Sequence, residues 1–433
     1  MKKGNLFSLG TLCIGLIFLW SCSSDDNEAP PDNGENSDGG ENETRALKEG
    51  YIIQGNLDGT VFIQYFEELP SETIDVSQGN DFQSFNVESV LDGAMYVFAT
   101  DGSNGIEKII VNQAGELEVV GEIATVGRTF SLSVRDSELG VFHDVNNPTS
   151  LTTFNPTTME VTGSIDMSLI EGLGREPGSI DFTDYGFRGG NELIVTLNAT
   201  PRLTGVPRVI VDLNTMQATD ISVFEGSELT NPPVVFTNSY FDENGNYYGP
   251  NFGSEGITTI SGGLLKIPAG QNNYDQAYNF QIPLQNNPEL AFLGAYLRAF
   301  EYFENNKAYA LINGSLDPRI DEIIFVENEG NFANIDQNEL NEILFLLSNS
   351  PTVIWVELDV VTMEITKIEG VPNLPVFTGG GFLSVLDSQP HLVVSTRENN
   401  ALYRHTGNGT AQVVFEATGA ALGEVIDLAQ DFQ

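Results

Sequence analysis

Three short segments of this chain are copies of one corner. Thr158-Met159-Glu160-Val161-Thr162 returns as Thr215-Met216-Gln217-Ala218-Thr219 and as Thr362-Met363-Glu364-Ile365-Thr366, each time just after a turn that contains Asn or Asp. Self-similarity separated by tens of residues constrains the fold strongly, because a unit that recurs must bury its apolar face against its own copies. The fullest copy runs from Leu139 to Asp166. It reads as three short antiparallel strands: an apolar run from Leu139 to His143, an Asn- and Pro-rich loop, a run from Leu151 to Phe154, a turn at Asn155-Pro156-Thr157, and a run from Met159 to Ile165.

A second landmark recurs between apolar runs as a tight polar turn. It stands at Asp92-Gly93, Asp136-Ser137, Gly190-Asn191, Asn244-Gly245, Asn305-Asn306 and Asp387-Ser388. Gly, Asn and Asp tolerate the positive backbone angles that hairpin turns demand, so six hairpins are expected. Successive landmarks lie 44, 54, 54, 61 and 82 residues apart, which suits four short strands with their loops. The two ends complete the count. Tyr51 to Gln54 has the pattern of a strand that follows such a turn but nothing in front of it. Glu424 to Phe432 has the pattern of one that precedes a turn but nothing behind it. A C-terminal strand paired with the first would abolish the open edge of a linear stack. The expected fold is therefore all-β, a seven-bladed β-propeller closed by the C-terminal strand.

The widest spacing has a local cause. An insertion at about 317–350 contains Ile335 to Ser348, where Leu340, Ile343, Leu344 and Leu347 follow helical periodicity and Asp336 with Glu339 makes a capping box. This helical insertion is either an ornament or a lid or docking element.

In front of the repeats the chain reads as an address. Lys2 and Lys3 precede an apolar stretch, Leu6 to Trp20, that is too short and wrongly flanked for a membrane span. Leu19-Trp20-Ser21-Cys22 resembles the lipobox of bacterial lipoproteins, in which the cysteine becomes the lipidated first residue, although Trp20 departs from the usual small or aliphatic residue. The alternative is an ordinary signal peptide. Residues 1–21 are thus expected to be removed, leaving Cys22 as the sole cysteine and a domain that must stand on its core. Residues 23–46 are acidic, rich in Asn and Gly, and free of aromatics; with Cys22 they make a tether, 22–47, whose root-mean-square reach is roughly 25–30 Å. Ser23-Ser24-Asp25-Asp26 also resembles the acidic signal that sends lipoproteins of the Bacteroidota type to the exterior of the outer membrane; a plain spacer is the alternative. The propeller domain then occupies 48–433.

Charge narrows the partners. Removing Lys2 and Lys3 from 18 basic residues leaves 16 against 61 acidic ones. Such a surface repels nucleic acid and anionic lipid headgroups.

The Asn-Pro-Thr-Thr-Met hairpin resembles the repeat of YVTN-type β-propellers. Gly262-Gly263, Lys266-Ile267, Gly270, Tyr274-Asp275 and Tyr278 are similar to a pattern in a family of outer-surface lipoproteins known only as a domain of unknown function, with Lys266 where Arg is usual. That resemblance implies a surface capture protein. Some members accompany TonB-dependent receptors, and one branch resembles binders of ferric siderophores. Iron would then enter only within a bound chelate, with no cofactor of the protein's own. A ferric catecholate is anionic and built of flat rings, so its site calls for Arg beside Tyr or Phe.

Ligands of propellers usually meet the loops that lead from one blade's outermost strand to the next blade's innermost. Here those entries hold Arg128, Arg175 and Arg298, with Phe82, Phe130, Tyr296 and Phe382 near the same level. Either each Arg pairs with one of the many carboxylates, or the set forms one basic, aromatic funnel. His143-Asp144 ends a strand where a loop can face a pocket, although a lone pair of this kind is more often structural. Catalytic signatures are missing: there is no Gly-x-Ser-x-Gly, no His-Glu-x-x-His and no Cys cluster. A propeller enzyme, such as a lactonase or quinoprotein, and a scaffold for a protein or glycan stay open as alternatives to a binder of small ligands.

Overall fold

A computed structural model describes residues 49–174, 180–199, 206–224, 240–253, 261–281, 297–313, 317–329, 334–375 and 382–430. The expected leader at 1–21, Cys22 and the expected tether lie outside these residues. Contacts separate Pro318–Leu346 from a strand-rich unit made of 47–317 and 347–433.

The strand-rich unit is all-β and propeller-like. Most of its strands follow one another as antiparallel meanders; Ile74–Asp75 instead pairs in parallel with Ala411–Thr418, and Leu374–Pro375 pairs with Pro351–Asp359. Val87–Leu91, Ala94–Phe98, Gly105–Val111 and Leu117–Ala124 make one meander, and Tyr240–Phe241, Tyr247–Gly253, Ser261–Ile267 and Asn279–Gln281 another. The C-terminal strand Ala421–Asp427 pairs with Tyr51–Leu57, matching Tyr51 with Asp427, Ile52 with Ile426 and Ile53 with Val425. The first strand is thereby supplied from the other end of the chain, as the unpaired termini require. The described strands form six hydrogen-bonded sheets, because Thr129–Asp166 and Ile180–Phe224 share one eight-stranded sheet through the single parallel pair Asp166 and Gln217.

Turn chemistry explains the meanders. Asp58-Gly59, Asp92-Gly93, Asn305-Asn306 and Asp387-Ser388 have positive φ at both positions, the geometry that matches the twist of paired strands. The expected Gly190-Asn191 turn is shifted by one residue: Gly189 and Gly190 carry the positive angles, and Arg188 pairs with Glu192. The recurring corner is an Asx turn followed by a left-handed residue. Asn155 Oδ1 accepts from the backbone N–H groups of Thr157 (2.8 Å) and Thr158 (3.0 Å), and Asp359 Oδ1 does the same for Val361 and Thr362. Met159, Met216 and Met363 then take φ of 54°, 53° and 61°. The short polar side chain stands in for a backbone acceptor and starts the turn.

Clusters of apolar residues seal neighbouring meanders to one another. Ile53, Val76, Leu402, Phe415 and Leu422 close the joint between the last repeat and the first. Ile52, Ile63, Val90, Val97 and Ile426 close the following one. The next joint holds Tyr96, Ile110, Phe142 and Phe154 around Met159, which fits because Gly121 has no side chain; a Cβ there would stand 2.5 Å from Met159 Cγ. The first strands of successive meanders lie against one another, so these strands face a common axis.

In the smaller unit, the helix Gln337–Asn349 has the expected start. Asp336 Oδ1 accepts from the N–H groups of Asn338 (2.7 Å) and Glu339 (2.9 Å), while Glu339 Oε2 accepts from Asp336 N–H (2.7 Å). A second helical segment was not expected: one turn at Pro318–Asp321 runs into a wider π-type turn, Glu322–Glu327. Arg319 ties both to the helix through Glu322, Glu327 and Glu342.

Candidate functional site

Arg128 stands immediately ahead of the first strand Thr129–Val134, and its position is built locally. Val145 N–H donates to the Arg128 carbonyl (3.1 Å), and Thr125 Oγ1 donates to the Gly127 carbonyl (2.7 Å). Gly127 presses so closely on the next loop that a Cβ would lie 2.4 Å from Asp144 Oδ1. The Arg128 side chain is exposed, and its guanidinium lies over the Phe130 ring at 5.0 Å. Among the described residues it forms no ion pair, although acidic residues outnumber basic ones more than threefold.

His143 shares that face. It pairs across the strands with Phe130, so the two side chains project on the same side of the sheet, and Arg128, two residues from Phe130, projects there too. The imidazole is 1% exposed and meets the Phe182 ring of the neighbouring meander at 4.6 Å. Neither ring nitrogen has a hydrogen-bond partner. Burial pushes its pKa down to about 4, against the pull of Asp144, so the ring is neutral at ordinary pH. Ser131, a bulge residue with φ of 46°, donates to the Phe182 carbonyl (2.7 Å) and pins the two first strands together.

The other expected site residues fall elsewhere. Arg175 and Tyr296 lie outside the described residues. Arg298 is not in a loop; its backbone belongs to the first strand Leu297–Glu304, at a bulge between Leu297 and Ala299. Phe82 lies in the fourth strand Asn80–Phe82, half-buried against Phe85 at 5.1 Å. Phe382 packs against the cluster that joins the last repeat to the first. Of the expected set, then, the described side chains bring together Arg128 and His143, through Phe130.

A second feature had no place in the sequence reading. Glu88, Glu301 and Glu424 sit on three different first strands, each three residues before the pair that ends its strand: Leu91 with Ala94, Glu304 with Lys307, Asp427 with Tyr51. Their register places them at one level of the axis. All three keep some accessible surface and are otherwise enclosed by protein. Desolvation, then Glu424 and Asp184, push Glu88 up to about 8. Desolvation raises Glu301 to about 7 although Tyr240 donates to it at 2.7 Å, and desolvation with Glu301 raises Glu424 to about 7. The signal was present in Val87-Glu88-Ser89-Val90, Phe300-Glu301-Tyr302 and Glu424-Val425-Ile426, an acid between apolar residues at a fixed distance from the strand end.

No protein-family model matches the sequence, and no curated protein matches it. Solved structures do resemble the fold. A protein from Lactobacillus plantarum aligns with 88% of this chain and 100% of its own, at 10% identity and a TM-score of 0.51. Streptogramin B lyase aligns over 86% and 88%, at 10% identity and a TM-score of 0.45. Apo AztD from Citrobacter koseri aligns over 88% and 97%, at 10% identity and a TM-score of 0.41. At such identities the likeness bears on the fold alone.

Proposed function

We propose that this chain is a seven-bladed propeller lipoprotein, lipidated on Cys22 and carried on the outer face of an outer membrane. There it would capture a small anionic ligand, a ferric siderophore, and pass it to a TonB-dependent receptor. In support of the count of seven, the eight-stranded sheet reads as two meanders that one residue pair joins. The observation that carries the ligand reading is Arg128: an exposed guanidinium that forms no ion pair among the described residues, held over an aromatic ring in a strongly acidic protein. An arginine left open in this way offers paired donors and a flat cationic face to an anion built of aromatic rings. The axial glutamates support the same polarity. They disfavour an anion in the axis and so favour holding it at the mouth, roughly 10 Å up the strand from their level, which Ser131 marks on the Arg128 strand.

The test is titration of the purified mature protein with a ferric catecholate chelate. Arg128→Gln should weaken binding at least tenfold, and Arg128, Arg175 and Arg298 changed together to Ala should weaken it further. Undiminished binding by the triple variant rejects the site; lack of binding to any ferric chelate rejects the ligand class.

A further inference from the structure

We propose that Glu357, Tyr309 and His405 form a proton-operated latch between two neighbouring sheets, closed while the His405 imidazole is neutral and released when its Nε2 takes up a proton. The proposal involves no ligand, so its failure leaves the capture reading untouched.

The latch is a chain of side chains that crosses from one sheet to the next. Lys307–Asn313 and Pro351–Asp359 are paired strands of one sheet, and Asn400–His405 belongs to another. Tyr309 and Glu357 stand directly opposite each other, so their side chains share a face. The Tyr309 hydroxyl lies 3.2 Å from Glu357 Oε2 and 3.2 Å from His405 Nδ1, and Lys307 Nζ lies 2.9 Å from Glu357 Oε1. Trp355, two residues from Glu357 on the same face, sets its ring 6.2 Å from that of Tyr309 and, edge to face, 6.1 Å from that of His405. Tyr309, Trp355 and His405 are all buried.

The positions of the protons follow from these contacts. A carboxylate paired with Lys307 can only accept, so the single Tyr309 proton goes to Glu357. The Tyr309 oxygen is then the acceptor for His405, and Nδ1 must carry the imidazole proton. Nε2 is left as a lone pair, buried and without a hydrogen-bond partner among the described residues. A proton added there would place an N–H and a charge where no acceptor meets them. Burial accordingly holds the imidazole below its ordinary pKa, against the pull of Glu357. The other charged groups at this place are Lys307, Asp359, which shares Lys307 with Glu357, and Glu304, whose field reaches Tyr309. On its own sheet His405 has Ala411 opposite it and Arg404 beside it in the strand.

An imidazolium at this place finds an acceptor for Nε2 only by turning the ring, which gives up the Tyr309 contact and the packing on Trp355. A second tie between the same sheets does not titrate: Glu369 N–H donates to the Gly409 carbonyl (2.9 Å) and Ala411 N–H to the Glu369 carbonyl (2.8 Å). Release is therefore local.

Trp355 reports on the latch, because it is the only tryptophan from Cys22 onward and an imidazolium quenches an indole that it touches. The test follows the emission of the mature chain downward from pH 7.5, with circular dichroism marking where the fold is intact. We expect one fall in emission with a midpoint below 6.5, and none in His405→Phe. Hydrogen-exchange protection of Val353–Glu357 and Ala401–His405 should drop at least tenfold through the same step, relative to that of Val87–Val111. In Tyr309→Phe that protection should already be low at pH 7.5. The emission and the exchange are read on the unaltered protein, so a variant that fails to fold does not remove the test. Emission that stays flat until the fold itself is lost, or a step that survives in His405→Phe, overturns the latch. So does a step without loss of protection, or protection at pH 7.5 that Tyr309→Phe leaves unchanged.

Discussion

Glu88, Glu301 and Glu424 should make the domain less stable as pH rises, which is the reverse of most carboxylates in folded proteins. Their pKa values are raised in the fold, so the stability they permit is complete below about 4.5, where both states hold the proton. It is lost as pH climbs through about 7 to 8, where the folded state must ionise in a poor solvent for charge. A shift from 4.5 to about 8 at Glu88 corresponds, above both values, to as much as about 5 kcal/mol. The group keeps some contact with solvent and shares its field with Glu424 and Asp184, so the measurable part is smaller, about 2 kcal/mol. Glu88→Gln keeps the shape and removes the charge. With an unfolding entropy of roughly 0.8 kcal/mol per degree for a domain of this size, it should raise Tm by about 2–3 °C at pH 8.5 and leave it unchanged at pH 4.5. Melting curves of the mature protein and of each single Gln variant at pH 4.5, 6.5 and 8.5 read this directly. An offset that is the same at all three pH values, or a Gln variant less stable than the parent at pH 8.5, refutes the axial placement of these groups.

Three further outcomes follow from the same geometry. His143 has the opposite sign: its pKa is lowered to about 4, so stability is lost as pH falls from about 6.5, and in His143→Leu the difference from the parent should change by up to about 3 kcal/mol across that window in urea titrations. Asn155→Ala removes the acceptor for two backbone N–H groups at the repeated corner and should cost about 1 kcal/mol, measured as a lowered urea midpoint at an unchanged slope. Deleting residues from Ala421 onward exposes the edge of Tyr51–Leu57 and uncovers both apolar clusters beside it, so the protein should aggregate or lose its cooperative melt, and the peptide Ala421–Leu428 added separately should bind to it.

What could be read from the residues alone divides along one physical line. Interactions within a few residues were readable, because a turn is specified by the side chains it contains. Asp92-Gly93 and Asn305-Asn306 could only be hairpin turns, and Asp336 with Glu339 could only start a helix. The closing pair of Tyr51–Leu57 with Ala421–Asp427 was readable for a related reason, since each end showed an apolar strand with an unsatisfied edge. Positions around the axis were not. Glu88 and Glu424 are more than 300 residues apart, and their mutual repulsion exists only because their strands end at the same level. Phe82 illustrates the error in the other direction. It is expected in a loop that leads from one blade into the next, but Asn80 and Asp81 lie in a strand, paired with Ile63 and Phe62, and Phe82 pairs with Val61. Polar residues on an outermost strand need no turn to keep them in water, so polarity there could not distinguish strand from loop. His143 shows the limit most clearly: a histidine beside an aspartate reads as an ordinary polar pair. Only the fold turns the ring inward, where neither nitrogen meets a hydrogen-bond partner among the described residues.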